Sequence, residues 1–327
     1  MRARVVSAAA RGVYVSVMLF DGWDVANACN QTDGGFPYGA GNNVNGISVG
    51  SNATACTDIQ TLAVPAITTI QETYVKKVID TVNDLDNVLY EIANETGNSS
   101  AEIAWQYHMV DFVKSVEASR AKQHPVGMTS TYPGSDSDLY NKNNHADWIS
   151  PNTQLASGDG RKVVLNDTDH SFGWVPLQAA GPLGQRQWAW ETFCQGAAPV
   201  FMDPYLETWD GRNSPSGSTL DPQWNTIRDA MGYTALYASR LDLEHAVPSP
   251  SLCSTGYCLA YPGHQYLVYQ PASGNFQLTV TAGTYQVTWF DPVTGGQNVD
   301  ATTITLPAGS HTFTPPFTAD AVLLLTQ

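Results

Sequence analysis

Short apolar runs alternate with longer segments of helical periodicity over the first 247 residues. Six of the short runs end in polar residues, as buried parallel strands do when their carboxyl ends carry a binding site. These runs cover residues 13–20, 87–92, 125–128, 147–149, 162–165 and 199–202. Apolar residues recur with a helical period over residues 59–82, 101–121, 185–195 and 222–241, and a helix is also predicted before the first strand.

This alternation predicts an α/β fold with a parallel sheet covered by helices, and a (β/α)8 TIM-like barrel fits it best. The chain opens with what corresponds to the second helix of such a barrel, so two strands are lacking at the N-terminus. A sheet without two of its strands exposes two long edges, which proteins normally cover or pair. We therefore expect a homodimer that covers the open barrel edge, a rearranged N-terminal region or a shortened chain.

The pattern changes near Pro248 to short alternating runs separated by Gly and Pro. Runs of this kind predict a small all-β sandwich. They cover residues 265–269, 275–280, 284–290, 302–306 and 321–325. The predicted organisation is therefore a TIM-barrel-like domain over residues 1–247 and a β-sandwich domain over residues 248–327.

Composition and charge narrow the classes of partner. The formal net charge is −15, with 15 Lys and Arg against 30 Asp and Glu, so a nucleic acid would be repelled. No apolar run approaches the ~20 residues that span a membrane. An apolar stretch near the N-terminus is interrupted at Arg11 and Gly12, which favours a helix over a secretion signal. We nevertheless expect a secreted or periplasmic protein.

The five cysteines suggest two disulfide bonds. Cys29 with Cys56 and Cys253 with Cys258 lie in predicted loops and could each form one. Cys194 is then left over inside a predicted helix.

A pair of carboxyl groups is the chemistry that the strand ends suggest most strongly. Cleavage of a glycosidic bond requires one carboxyl group to protonate the leaving oxygen and another to attack the anomeric carbon or activate water. Glu95 directly follows an apolar strand that ends at Asn94, and we predict that it is the proton donor. The alternative is that Asn94 caps the next helix and Glu95 complements the helix dipole.

The second carboxyl group is expected after the strand at residues 162–165. Asp167 and Asp169 follow it and point the same way in an extended chain. We favour Asp169 slightly over Asp167, with His170 orienting the partner. A structural turn in which His170 bonds an aspartate is the alternative. A metal site is not predicted because no second ligand cluster with matching spacing is present, and no cofactor is required.

Polar and aromatic residues at other strand ends and in loops are candidate substrate contacts, with Asn94 and His170 among them. The others are Asp21, Trp23, Tyr38, Trp174, Asp203 and Tyr205. Trp23 and Trp174 are the candidate platforms for sugar rings, whereas Trp188 and Trp190 lie in a predicted helix and are assigned to the core.

The loop over residues 28–58 is rich in Gly, Asn and Thr, and its length is typical of a functional lid. It contains the sequence Gly46-Ile47-Ser48-Val49-Gly50, which matches the G-x-S-x-G pattern of serine esterases. That pattern needs a strand before it and a helix after it. The residues around Ser48 predict neither, so an esterase is a minor alternative.

Asn94-Glu95 resembles the Asn-Glu signature of the large clan of retaining barrel glycosidases. Together with VSVMLFDGW, LNDTDH and VFMDPY at residues 15–23, 165–170 and 200–205, it makes the chain similar to glycoside hydrolases whose barrel precedes a domain named for collagen binding. The resemblance covers nearly the whole chain. It implies hydrolysis of plant cell-wall polysaccharides or oligosaccharides, while for the sandwich we favour a structural cap over collagen binding.

One departure from that clan leaves the stereochemistry open. The clan uses a glutamate on its seventh strand as nucleophile, whereas this chain offers Asp167 or Asp169. The shorter side chain would widen the carboxyl separation from the ~5 Å typical of retaining enzymes toward the inverting range. The main alternative function is a non-catalytic carbohydrate-binding protein on an incomplete barrel.

Overall fold

The computed structural model describes residues 1–29, 38, 42, 44–48, 56–132, 134–153, 155–168, 174–203 and 222–327. These residues form two compact units, Met1–Asn152 and Thr153–Gln327. No helix in the described ranges is both long and apolar enough to cross a membrane.

The first unit is built from alternating helices and parallel strands. Its elements in chain order are α1 (Arg2–Ala9), β1 (Val15–Asp21), α2 (Gly22–Cys29), a 3₁₀ helix (Cys56–Gln60), α3 (Pro65–Val82), β2 (Val88–Asn94), α4 (Ser100–Glu117), β3 (Val126–Thr129), a 3₁₀ turn (Asp136–Asp138) and β4 (Trp148–Ser150).

The core of this unit lies between the sheet and helices α3 and α4. Tyr90 and Ile92 on β2 are buried, and they alternate with Glu91, which is only half-buried. Val75 on α3 and Trp105 on α4 are also buried. One face of β2 therefore packs under the helices, while Glu91 lies on the less buried face.

The first residues of helices α3 and α4 are set by a proline and by a capping box, respectively. Proline lacks a backbone N–H and is tolerated only in the first turn, and Pro65 accordingly starts α3. The predicted helix over residues 59–82 is therefore wrong before Pro65. Helix α4 begins after Ser99, whose side chain accepts the N–H of Glu102 while the Glu102 carboxylate accepts the N–H of Ser99.

The second unit continues the alternation and then becomes antiparallel. Its elements are β5 (Val163–Asp167), α5 (Trp174–Cys194), β6 (Ala197–Val200), a 3₁₀ turn (Pro222–Trp224), α6 (Asn225–Ala238), β7 (Val247–Pro248), a 3₁₀ turn (Pro250–Leu252), β8 (Cys258–Tyr261), β9 (Gln265–Gln270), β10 (Phe276–Val280), β11 (Gly283–Asp291), β12 (Gly296–Leu306), β13 (Gly309–Phe313) and β14 (Ala321–Thr326). Helix α5 is broken at Gly181, where φ is 64° and Pro182 follows.

The parallel sheet runs in the order β1-β2-β3-β4-β5-β6, so strand order follows the chain. All six strands predicted from the sequence are present in this sheet. The last begins at Ala197, slightly before the predicted run. Six parallel strands with intervening helices are the strands of an incomplete (β/α)8 barrel, which confirms the predicted fold class.

Two antiparallel sheets form the C-terminal part of the second unit. One has the strand order β12-β11-β14-β9-β8-β7, and the other pairs β10 with β13. Tyr285 and Leu323 are buried with residues of β10 and β13 in one cluster. Tyr269 and Phe290 are buried with Trp190 of α5 in another. Central strands of the larger sheet are thus covered on both faces.

Buried aromatic residues of α5 confirm their predicted role. Trp188, Trp190 and Phe193 are each less than one-tenth exposed. Trp190 stacks on Tyr269, with ring centroids 6.2 Å apart. These residues are core, as the sequence indicated.

A buried ion pair joins α5 to the segment before β14. Arg186 donates to both carboxylate oxygens of Asp320, at 3.1 Å and 2.8 Å, and the Tyr269 hydroxyl donates to the same carboxylate at 3.1 Å. The Arg186 and Asp320 side chains are only 11% and 0% exposed. Hydrogen bonding to Asp320 raises the pKa of Arg186. The guanidinium therefore stays charged, and the Asp320 carboxylate is the counter-charge that balances it inside the protein.

Replacing Asp320 with Asn should destabilise the protein by about 3–5 kcal/mol, because it leaves the charge of Arg186 buried without a counter-charge. Urea unfolding measures the change. The matched control is Asp84→Asn, which breaks a bidentate ion pair with Arg2. In this pair the Arg2 side chain is 44% exposed and the Asp84 side chain is 64% exposed. The control substitution should lower the free energy of unfolding far less, because water replaces the lost partner of the exposed Arg2 side chain. Equal losses for the two variants would show that burial does not set the contribution of the pair.

The predicted disulfide between Cys253 and Cys258 is wrong, because both residues are buried free thiols. The Cys253 sulfur instead contacts the Thr255 hydroxyl at 3.1 Å. A hydrogen bond with Cys258 lowers the pKa of Cys253 to about 6 and raises that of Cys258. Cys194 is a free thiol at the end of α5, as predicted. The side chains of Cys29 and Cys56 lie outside the described part of the structure.

Candidate active site

The carboxyl ends of β1 and β2 bring four of the predicted site residues together. Asp21 and Asn94 are Cα partners in the parallel register, and each is the last residue of its strand. Trp23 and Glu95 come directly after these ends. Strand pairing, not sequence proximity, therefore places the predicted proton donor beside the predicted sugar platform.

Glu95 has a backbone conformation that is unusual for a side chain of its type. Its φ is 43°, and among the described residues Leu155 is the other non-glycine residue with a positive φ. Such a conformation costs on the order of 1–3 kcal/mol and persists only where its surroundings enforce it. One carboxylate oxygen of Glu95 is also shielded from solvent. Strained backbone of this kind clusters at functional sites.

The residue after Glu95 is fixed by two hydrogen bonds. The Thr96 carbonyl accepts the N–H of Tyr132 at 2.8 Å, and the Thr96 hydroxyl accepts from the Gln106 amide at 2.5 Å. Thr96 and Gln106 are both fully buried. Strand β2 fixes Asn94 on the other side, so the turn at Glu95 is held at both ends.

Gly22 fits against this turn because it has no side chain. A Cβ at position 22 would lie 2.6 Å from Thr96 Cα and 2.7 Å from the carbonyl carbon of Glu95. Neither backbone atom can move away without moving the turn. The sequence alone did not identify Gly22 as part of the site, since the contact is between residues more than seventy positions apart.

The alternative structural role for Asn94 and Glu95 is wrong. Helix α4 begins at Ser100, and its N-cap is Ser99 rather than Asn94. The acidic side chain in the first turn of α4 is that of Glu102. Glu95 is thus separated from the helix by residues 96–99 and is not part of its first turn.

Asp21 has a clear structural role beside any role in binding. Its carboxylate accepts the N–H of Trp23 at 3.0 Å, at the start of α2. An aspartate at this position caps the helix and complements its dipole. The cap holds the backbone of Trp23, whose side chain is 50% exposed.

The end of β5 presents Asp167 on the strand face opposite two buried polar residues. Asn166 donates to the Thr192 hydroxyl at 3.0 Å, and the Thr168 hydroxyl accepts the N–H of Met202 at 3.0 Å. Both Asn166 and Thr168 are fully buried, whereas Asp167 is half-buried. Asp169 and His170 lie outside the described residues, and the pairing of Glu95 with either aspartate stays a prediction.

Asp203 has a partner that the sequence did not suggest. Arg228 of α6 donates to both of its carboxylate oxygens at 2.7 Å. The side chains are 28% and 17% exposed, so the pair is partly shielded from water. Any contact of Asp203 with substrate would involve a carboxylate already neutralised by Arg228.

The remaining candidates are unevenly described. Tyr38 packs against the buried pair Ile59 and Ile67, which gives it a packing role. The side chain of Trp174 and all of Tyr205 lie outside the described residues. Ser48 is exposed, and residues 44–48 are neither strand nor helix, while the residues directly after Ser48 lie outside the described part of the chain.

Two other features lack the chemistry of a hydrolytic site. A cleft of about 540 Å³ in the sandwich is lined by residues of β11, β12 and β13, and none of the described side chains that line it is a carboxylate. Within the described residues, Asp242, Glu244 and His245 form the cluster with metal-ligand spacing, and all three are exposed. His245 contacts Asp242 at 2.9 Å, which raises the pKa of His245 and lowers that of Asp242.

Solved structures of other proteins share the fold of this chain. No protein-family model and no curated protein matches the chain. A solved structure named glycoside hydrolase has a TM-score of 0.61 at 12% sequence identity, with 99% of this chain and 75% of that chain covered. A glycoside hydrolase family 5 protein from Bacteroides vulgatus has a TM-score of 0.63 at 12% identity, with 99% and 72% covered. The chain shares the barrel fold of these structural neighbours, which are glycoside hydrolases.

Proposed function

We propose that this chain is a glycoside hydrolase that cleaves plant-type polysaccharides or oligosaccharides with a Glu/Asp carboxyl pair. The observation that carries the proposal is Glu95, a strained carboxyl residue at the carboxyl end of a parallel strand. Strand ends on this side of a barrel are where its enzymes place catalytic groups. The fold shared with glycoside hydrolases supports the same chemistry.

In the proposed mechanism, Glu95 donates a proton to the glycosidic oxygen as the bond to the anomeric carbon breaks. Asp169 or Asp167 either attacks that carbon or removes a proton from the attacking water, and His170 orients the aspartate. In the first route, water that gives its proton to the Glu95 carboxylate then breaks the bond between the aspartate and the sugar, and the two displacements retain the configuration at the anomeric carbon. The single displacement of the second route inverts it. No metal or cofactor is needed for either route.

Three further features belong to the proposal. The sandwich acts as a structural cap, because its larger sheet shares a buried cluster with α5. Secretion or a periplasmic location would bring the enzyme to an external glycan. A homodimer would cover the open edge of the incomplete barrel.

Incubation with a panel of plant cell-wall glycans tests the proposal. We expect reducing ends to appear from at least one glycan with wild-type protein. A non-catalytic carbohydrate-binding protein would bind a glycan and release none. Inhibition by a serine-directed phosphonate, together with loss of activity in Ser48→Ala, would instead favour the esterase.

Replacing Gly22 with Ala should slow hydrolysis by up to about a hundredfold, since the new Cβ displaces the turn that carries Glu95. The same overpacking should cost about 1–3 kcal/mol in stability by urea unfolding. The control is Gly232→Ala in α6, where a Cβ would meet nothing within 4 Å. The control should keep full activity and gain up to about 1 kcal/mol. Full activity in Gly22→Ala would show that this contact does not position Glu95.

A further inference from the structure

Two exposed aromatic side chains of the first unit follow the carboxyl ends of β1 and β3, the two strands that flank β2 in the sheet. Trp23 is 50% exposed and Tyr132 is 60% exposed. Their ring centroids are 6.1 Å apart, and the ring planes meet at 71°. The two rings therefore form one edge-to-face surface that is open to solvent.

Backbone hydrogen bonds place the main chains of Tyr132 and Trp23 close to the residues on either side of Glu95. The Tyr132 N–H donates to Thr96, the residue after Glu95. The Trp23 N–H donates to Asp21, whose Cα is paired with that of Asn94, the residue before Glu95. A ligand that covers the two rings would thus lie next to the Glu95 turn.

The chemistry of this surface suits a neutral sugar ring. A pyranose ring has an apolar face of C–H groups and a polar edge of hydroxyl groups, and Trp and Tyr combine an apolar body with a polar group. Two rings with few rotatable bonds provide contact area at a low entropic cost. The net charge of −15 disfavours an anionic ligand.

We propose that Trp23 and Tyr132 form an aromatic subsite that binds one sugar ring of the substrate beside Glu95. The sequence suggested Trp23 as a platform, and the structure adds Tyr132 as its second wall. The inference rests on the proposed function for the position of the scissile bond, but binding to the subsite requires no catalysis.

The test measures glycan binding without turnover, in protein that carries Glu95→Gln. A plant cell-wall glycan array identifies the bound glycan, and calorimetry with an oligosaccharide of that glycan gives the Kd. Adding Trp23→Ala or Tyr132→Ala should weaken binding by about tenfold each, as loss of a stacked ring predicts. Tyr132→Phe keeps the ring and should stay within about threefold of the parent.

Tyr14→Ala is the matched control, because Tyr14 is 67% exposed and precedes the amino end of β1. It should leave the Kd unchanged. Circular dichroism verifies folding, and Tyr132→Gln replaces Tyr132→Ala if the latter does not fold. Unchanged affinity in both ring-deletion variants, or no binding to any glycan on the array, would overturn the subsite.

Failure of the subsite and failure of the proposed function give different results. If wild-type protein releases reducing ends but the KM is unaltered by Trp23→Ala and Tyr132→Ala, the subsite is wrong and the hydrolase stands. If glycan binding depends on both rings but no reducing ends appear, the subsite stands and the hydrolase is wrong.

Discussion

Glu95→Gln should lower the turnover of a glycan by about a hundredfold or more, the usual contribution of a general acid. Gln preserves the shape of the side chain and cannot supply the proton that the leaving oxygen needs. Initial rates of reducing-end release at saturating glycan measure the effect. Because the backbone at Glu95 is already fixed by Thr96 and Gly22, we expect the fold to be unaffected.

Glu91→Gln is the matched control for this substitution. Glu91 is a half-buried carboxylate on the same strand, and it accepts a hydrogen bond from Ser16 at 3.4 Å. Gln can accept the same bond, so turnover should remain close to that of the wild type. Equal losses in the two variants would indicate a general effect of charge in the barrel, and Glu95 would lose its assigned role.

Asp169→Asn should lower turnover by at least about a hundredfold, because a neutral amide can neither attack the anomeric carbon nor take a proton from water. We expect a smaller effect from Asp167→Asn. Asp167 is the last residue of β5 and lies on the strand face opposite the buried Asn166 and Thr168. Asp169 comes two positions later, and it is the residue that we favour as the partner of Glu95. Comparing the turnover of the two variants on the same glycan shows which aspartate is the catalytic partner of Glu95.

The stereochemical course of the reaction shows whether the aspartate acts as a nucleophile or as a base. Proton NMR of the first product formed reports whether the anomeric configuration is retained or inverted. Retention would make the aspartate a nucleophile, and inversion would make it a base. Wild-type activity in both Asp167→Asn and Asp169→Asn would remove this strand from the catalytic site.

The sequence predicted the parallel strands well because each is a nearly continuous apolar run that ends in polar residues. It missed β7, β8 and β13, which are two, four and five residues long. Such short strands carry little periodicity of their own, and β13 forms through pairing with the distant β10. Their existence depends on tertiary contacts that local periodicity does not contain.

The candidate site was predictable only in its strand-end positions. Asn94 and Glu95 could be placed after a strand from the apolar run alone. The positive φ of Glu95, its contact with Gly22 and the second aromatic wall at Tyr132 arise from β1 and β3 packing beside β2. The ion pair between Asp203 and Arg228 likewise could not be predicted from the sequence, because the fold brings the two residues together.

The proposed mechanism requires Glu95 to act as a proton donor, and varying the leaving group is the most direct test of that role. The dinitrophenol of a dinitrophenyl glycoside leaves as a stable phenolate and needs no proton, whereas the oxygen of a sugar leaving group needs one. The measurement is the ratio of wild-type to Glu95→Gln kcat/KM on each substrate. If Glu95 is the proton donor, we expect a ratio of about a hundred or more on the glycan and below about ten on the aryl glycoside. The same large ratio on both substrates, or no loss on the glycan, would contradict it.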